Sequence, residues 1–358
     1  MKSNTGDLIF TTFFAIVAGF LTSALMLLLL GLNPLNVFAE AVAIMFSDKY
    51  NIGDIFVKST PLIFTALAFA FTYKANLFNI GAQGQFYAGA IVAISVSLAL
   101  QNFLPPAIVL IITLLSAFVG GALIGTLIGF LKARFGANEF LVSMMSTYVV
   151  QAVMNYLLRT FLKESKGEYP QTDAIDASIR IPRIWEGTRL HAGIILSVLV
   201  AVCVYILLYK TSLGFRIRAV GLNSNAAKMS GISIRKITIL TFLISGGLAG
   251  IAGFTEVNGV QYMLIQNFNP TLGAAGLGIA ILANAHPIGI IFSSLLFGGI
   301  EVMGNIMGRM SGLNIPASFI QIMQGLVMLF VIVSYFIREK IAVHRNKKKL
   351  MEAMEDAD

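Results

Sequence analysis

The sequence predicts an all-α polytopic membrane protein, and three observations carry that prediction. Of its 358 residues, 57% are hydrophobic and only 12% charged, a balance outside the range of soluble globular domains. The apolar residues gather into runs near the roughly 20 that an α-helix needs to cross a hydrocarbon core of about 30 Å. The basic residues fall between those runs and mostly on one side, so the net charge of +8 reads as cytoplasmic loops rather than a nucleic-acid surface.

Taken in chain order, the first run, 8–31, exceeds the about 7–15 residues of a signal-peptide core and stands as a span. Residues 33–58 open with Asn33-Pro34 and mix Phe, Val and Ile with acids, which predicts an amphipathic helix at the outer interface. Spans follow at 59–73, 80–100, 104–131 and 138–160. The polar stretch 162–190 holds Pro170, Pro182 and the single Trp185; it reads either as a solvated outer loop or as a docking surface for an extracellular partner.

After a span at 191–209 comes an inner loop, 211–236, then spans at 237–256, 287–306 and 316–337. Between the first two lies "TLGAAGLGIAILAN", 271–284, short for a full span. Counting it as a crossing gives about ten transmembrane helices, N-in and C-in. Lys74, Lys132, Arg134, the basic loop 211–236 and the lysine-rich tail then all lie inside, as the positive-inside rule requires. A re-entrant reading of 271–284 puts that tail outside. The expected organisation is one transmembrane domain over 1–340 and a charged cytoplasmic tail over 341–358.

Within "GGALIGTLIGF", Gly121, Gly125 and Gly129 recur every four residues, and Gly246, Gly250 and Gly253 repeat the pattern closely. Such small-residue faces let helix backbones approach, so these glycines are read as packing rather than as a site. The lone Cys203 sits in an apolar run, where it reads as a small buried hydrophobe.

No phosphate-binding loop, metal-spaced His/Cys cluster or Ser/His/Asp set is present, so no catalytic residue, metal or cofactor is expected. Polar groups within the spans are mostly amides. A buried charge costs roughly 2.5–3.5 kcal/mol on insertion scales and therefore faces a cavity or a partner. Asn79, Gln83 and Gln85 in "NIGAQGQ", with Glu301 and Asn305, are the candidates for lining a substrate pathway. Glu139 and Glu256 stand at span ends and read as interfacial. No Asp/Glu/His chain suits a proton relay, which weighs against an ion-coupled secondary transporter.

In the inner loop, "NSNAAKMSG" reads as a short helix opened by Asn223 or Ser224 and stopped by Gly231. Too short to be stable alone, it suits docking into another protein's cleft. "NAAKMSG" resembles the E-A-A-x-x-x-G loop by which ABC importer permeases grip their ATPases, with Asn225 in the place of Glu. Together with "VKSTPLIFTALAFAFTYKANLFNIGAQGQ" and "LKARFGANEFLVSMMSTYVVQAVMNYLL", it makes the chain similar to permease subunits of nucleoside and simple-sugar ABC importers, in the branched-chain amino acid and ribose permease family. Relatives usually read N-I-G-A-E-G-Q, and Gln83 occupies the acidic position here.

That resemblance implies a plasma-membrane permease working by alternating access, with Asn225, Ala226, Ala227 and Gly231 coupling it to an ABC ATPase subunit that hydrolyses the ATP. It also implies a second permease subunit, often a distinct chain, and an extracytoplasmic substrate-binding protein. The implied cargo is a purine or related nucleoside; the alternatives are ribose or another sugar, or a branched-chain amino acid, on the same machine.

Overall fold

The computed structural model describes residues 5–310 apart from 166 and 168, together with 319, 322–323, 325–334 and 337. The expected tail, 341–358, lies outside the described residues, as does part of the expected span 316–337. The elements are α1 (Thr5–Leu29), α2 (Pro34–Ser47), α3 (Lys49–Tyr73), α4 (Ala82–Leu100), α5 (Pro106–Phe135) and α6 (Glu139–Arg159). They continue with α7 (Gly193–Lys210), α8 (Ser212–Leu222), α9 (Ser224–Met229), α10 (Ile234–Glu256), α11 (Leu272–Leu282) and α12 (Pro287–Met307).

Among the described residues, seven helices are long and apolar enough to cross a membrane: α3 to α7, α10 with its continuation to Gln261, and α12. The apolar stretch Val17–Leu29 of α1 and the whole of α2 make an eighth candidate, bent by 115°. Two shorter apolar helices, α11 and Gly325–Ser334, fall below that length. The protein is a polytopic helical membrane protein, and the count of about ten crossings depends on those two short helices.

Local sequence explains the boundaries. Asp48 starts α3 by accepting a hydrogen bond from the Tyr50 N–H at 2.9 Å, satisfying one of the orphan donors at a helix start. The expected outer segment 33–58 is thereby two elements: α2, and the first ten residues of a helix that the apolar run marks only from 59. Asn51, Asp54 and Lys58 interrupt the hydropathy there without interrupting the helix. Pro106 opens α5, whose end is closed by Gly136 in the left-handed region (φ 68°); the Asn138 side chain then caps α6. At its far end α10 widens into a π-helix, Val257–Gln261. The loop 211–236 holds two helices, α8 and α9, where the sequence predicts one.

Two compact units result. The larger, Phe46–Val302, is built on α3, α4, α5 and α10. The two glycine rows read from sequence face each other across α5 and α10: a Cβ on Gly121 would lie 2.8 Å from the Gly250 Cα, and one on Gly246 would lie 3.0 Å from the Gly125 Cα. Dispersion between touching backbones, rather than transfer from water, holds such a seam. Phe64, Phe69 and Phe71 bury α3, while Leu115 of α5, Val149 of α6 and Leu199 of α7 are exposed, as lipid-facing residues are. The smaller unit, Met1–Met45 with Met303–Asp358, brings Gly19 against the Val327 backbone and the Phe20 ring edge-on to Phe38 at 5.7 Å.

Candidate functional site

The chain leaves α3 through a turn at Asn76 (φ 56°) and runs through "NIGAQGQ" into α4. Asn79 and Gln85 are fully buried and hold each other: Asn79 Nδ2 donates to Gln85 Oε1 at 2.8 Å, and Gln85 Nε2 donates to Asn79 Oδ1 at 3.2 Å. Asn79 Nδ2 also reaches Ser245 Oγ at 2.8 Å, the Ser245 hydroxyl donates to the Ala68 carbonyl at 2.7 Å, and Asn79 Oδ1 accepts from the Gly81 N–H. Buried amides paid for by hydrogen bonds tie α3, α4 and α10 together. The glycines admit neighbouring helices: a Cβ at Gly84 would stand 2.7 Å from the Thr147 Cα of α6.

Gln83 faces elsewhere. Its Nε2 donates to the Asn269 carbonyl at 2.9 Å and its Oε1 accepts from the Gly273 N–H at 2.6 Å. Thr271 at the head of α11 makes no side-chain cap, so Gln83 supplies one across the chain. The segment before α11 carries three non-glycine residues in the left-handed region, Tyr262 (φ 62°), Asn267 (φ 57°) and Asn269 (φ 43°), a concentration of backbone strain.

From Asn269 the polar contacts continue. Its side chain lies close to Glu256, which is buried and accepts from Gln261 Nε2 at 3.2 Å. Glu256 and Asp54 lie within electrostatic reach of Lys58, and Lys58 Nζ is 2.7 Å from Glu301 Oε1. The side chains of that ion pair are each 28% exposed, so it contributes on the order of 1 kcal/mol to stability. Two candidates from the sequence, Gln83 and Glu301, therefore join one line of polar groups through Asn269, Glu256 and Lys58. Glu256 is buried within the protein at the end of α10, and Lys58 was missed because it sits where hydropathy ends the run. The fifth candidate, Asn305, is half-buried and belongs to the smaller unit.

The stretch 162–190 is not simply solvated. Thr172, Ile175, Ile179, Ile181 and Thr188 are buried. The N–H groups of Thr172, Ile175 and Ile181 donate to the carbonyls of Leu264, Tyr262 and Asn258 at 3.0, 2.9 and 2.9 Å, knitting the stretch to the π-helix and its exit. Beside it His191 is 1% exposed; its Nδ1 accepts from the Gly193 N–H at 3.1 Å. Burial first, then the Arg189 charge, lower its pKa to about 4, so the ring is neutral at physiological pH.

On the loop 211–236, Asn223 caps α9 by accepting from the Ala226 N–H at 3.0 Å, and Gly231 ends it with φ 79°. Ala227 is only 4% exposed, while Leu222 and Met229 are each 89% exposed, and Asn225 and Ala226 are exposed beside them. The body of the larger unit begins directly behind. Gly221 of α8 packs on the Lys74 carbonyl, Lys74 Nζ donates to the Asn284 carbonyl after α11 at 3.2 Å, and the Arg218 guanidinium lies 5.1 Å from the Tyr209 ring centre.

Comparison with known proteins gives a consistent likeness. A family model described as "Branched-chain amino acid transport system / permease component" matches residues 51–332. The chain is 32% identical over 339 residues to the guanosine ABC transporter permease protein NupP of Bacillus subtilis, covering 94% of this chain and 95% of that one. It is 30% identical over 342 residues to the glucose ABC transporter permease protein TsgB13 of Haloferax volcanii, covering 92% and 88%. To the nucleoside ABC transporter permease protein NupB of Lactococcus lactis subsp. cremoris it is 30% identical over 350 residues, covering 95% and 94%.

Proposed function

From membership of the branched-chain amino acid transport system permease family, which this multi-pass plasma-membrane chain holds, we propose that it is the permease subunit of an ATP-driven importer of purine or related nucleosides. The observation that carries the cargo is likeness over more than nine-tenths of the chain to a guanosine and a nucleoside permease. The similar identity to a glucose permease favours, as second reading, the same machine carrying a sugar.

On this reading both termini lie inside, α11 is a crossing, and the chain pairs with a second permease subunit so that the two share one pathway. Lys58, Glu256 and Glu301 then stand toward the outer half of α3, α10 and α12, where charge must meet water or a partner. They form the polar lining, with Gln83 linked to them. Asn79 and Gln85 belong to the scaffold. The ATPase, a separate chain, grips α8 and α9 from inside. Its closure moves α8, which bears on Lys74 at the end of α3 through Gly221, and Lys74 in turn holds the α11–α12 turn at the Asn284 carbonyl. ATP shifts the bundle between outward- and inward-facing states only through different ATPase contacts in each.

The buried position of Ala227 moves the proposed grip to the exposed Leu222 and Met229, flanked by Asn225 and Ala226. The wild-type chain is expected to co-purify with an ABC ATPase subunit, and Leu222→Asp with Met229→Asp to lose it while inserting normally. Undiminished ATPase recovery with the double variant, or no ATPase with the wild type, counts against the reading.

A further inference from the structure

One side of α6 is polar where lipid would meet apolar groups. Between Glu139 and Arg159 the helix carries no charge, yet Met144, Tyr148, Gln151 and Asn155, spaced four, three and four residues apart, share one face. Met144 is 41% and Tyr148 61% exposed, and Gln151 and Asn155 are half-buried. At a rise of about 1.5 Å per residue, Gln151 lies about 18 Å from Glu139 and about 12 Å from Arg159, well inside the span. The adjoining face of α6, with Ser143, Val150 and Met154, is buried; it packs where Cβ atoms on Gly81 and Gly84 would meet Ser143 and Thr147.

Beside Gln151 stands backbone that has left the helix. With 11 residues, α11 is about 16 Å long, half of a core of about 30 Å. Its head lies at mid-depth, because the Gly273 N–H bonds Gln83, four residues from the Asn79 amide that meets Ser245 near the middle of α10. Phe268 fixes the segment that leads there: its buried ring lies 5.0 and 5.5 Å from those of Phe86 and Tyr87, and its carbonyl accepts from the Tyr87 hydroxyl at 3.2 Å. Next to it Asn267, in the left-handed region (φ 57°) and exposed, accepts from Gln151 Nε2 at 2.8 Å. That bond leaves Gln151 Oε1 and Asn267 Nδ2 without a partner among the described residues. Asn155 Oδ1, one turn further along α6, is buried and also unpartnered. Unmet amide groups at this depth call for a polar ligand or a water-filled path.

We propose that this stripe is the mid-membrane station for the cargo's purine base, with Tyr148 covering its face and the amides of Gln151, Asn155 and Asn267 meeting its edge. The proposal rests on the importer reading and deepens it by naming residues that recognise the base. Two features favour cargo over a packed helix of the second permease. Seams between helices close on small residues, as α5 and α10 do here, whereas this stripe presents Met144 and Tyr148. It is also neutral: a zwitterionic amino acid would bring two charges with nothing to meet them, while a purine offers a flat face to an aromatic ring and adjacent donors and acceptors to amides.

The test uses the complete importer in proteoliposomes, with its second permease, ATPase and binding protein, and measures ATP-driven uptake of labelled guanosine per assembled complex. Tyr148→Leu is expected to lower uptake about tenfold, and Tyr148→Phe, which keeps the ring, only about twofold. Gln151→Leu is expected to lower it about tenfold. All three variants are expected to unfold at the wild-type temperature and to retain the second permease. A loss in Tyr148→Phe as large as in Tyr148→Leu, or wild-type uptake by Tyr148→Leu and Gln151→Leu, overturns the station alone. Release of the second permease from Gln151→Leu on purification makes the stripe a seam between permeases and overturns the station equally. Absence of ATP-driven guanosine uptake by the wild type overturns the importer reading and the station with it.

Discussion

Two polar regions at membrane depth begin in the same seven residues and end differently. Asn79 and Gln85 close on each other and on Ser245 with every contact neutral, short and sealed from solvent. Gln83, between them, reaches out through Asn269 and Glu256 to an ion pair whose two side chains remain partly open. The contrast teaches that polarity inside a span is not by itself a sign of function. A satisfied amide pair contributes about 0.6–2 kcal/mol of helix association, whereas a charge that stays accessible at that depth carries a desolvation cost which scaffold packing alone does not require.

The sharpest way to break that contrast is to cut each region once. Lys58→Met leaves Glu301 and the buried Glu256 without their cation and is expected to lower cargo uptake per folded complex by the reconstituted importer about tenfold or more. Ser245→Ala leaves one of the two Asn79 Nδ2 hydrogens without its acceptor and is expected to cost about 1–3 kcal/mol in thermal unfolding, with uptake per folded complex unchanged. Equal losses of uptake from both variants would erase the distinction.

The smallest effect concerns His191, which touches neither region. Its folded pKa, about 4 against 6.5 for the free side chain, means that the unfolded state binds the proton first. The stability from keeping it neutral is present above pH 6.5 and drains as pH falls from there toward 4. Between pH 6.5 and 5.5 the loss is about 1 kcal/mol, read as a lower Tm of the detergent-purified protein. His191→Gln is expected to flatten that slope; an unaltered slope would place the titrating group elsewhere.

Much of this was legible in the sequence because it is local or periodic. Gly121 and Gly125 announce a flat face on one helix and Gly246 and Gly250 on another, and the structure lays one on the other. The Asn223 cap and the Gly231 stop of α9 follow from residue type. What was not legible depends on partners distant in sequence. Nothing near Lys58 names Glu301, and nothing in 162–190 says that its N–H groups bond to residues 258–264. The inward turn of Ala227 was hidden as well, since a six-residue helix of small residues shows no apolar face. Hydropathy also started α3 ten residues late, because the groups that make the charged line are the ones that interrupt the apolar run.

The most direct measurement is uptake of a labelled purine nucleoside into proteoliposomes holding this chain with its second permease, ATPase and binding protein. The expected result is uptake that requires ATP inside the vesicle-orientation-matched fraction and is competed by unlabelled nucleosides but not by glucose or leucine. Uptake by this chain alone, driven by a sodium or proton gradient without ATP, would contradict the importer, and displacement by glucose rather than nucleosides would contradict the cargo.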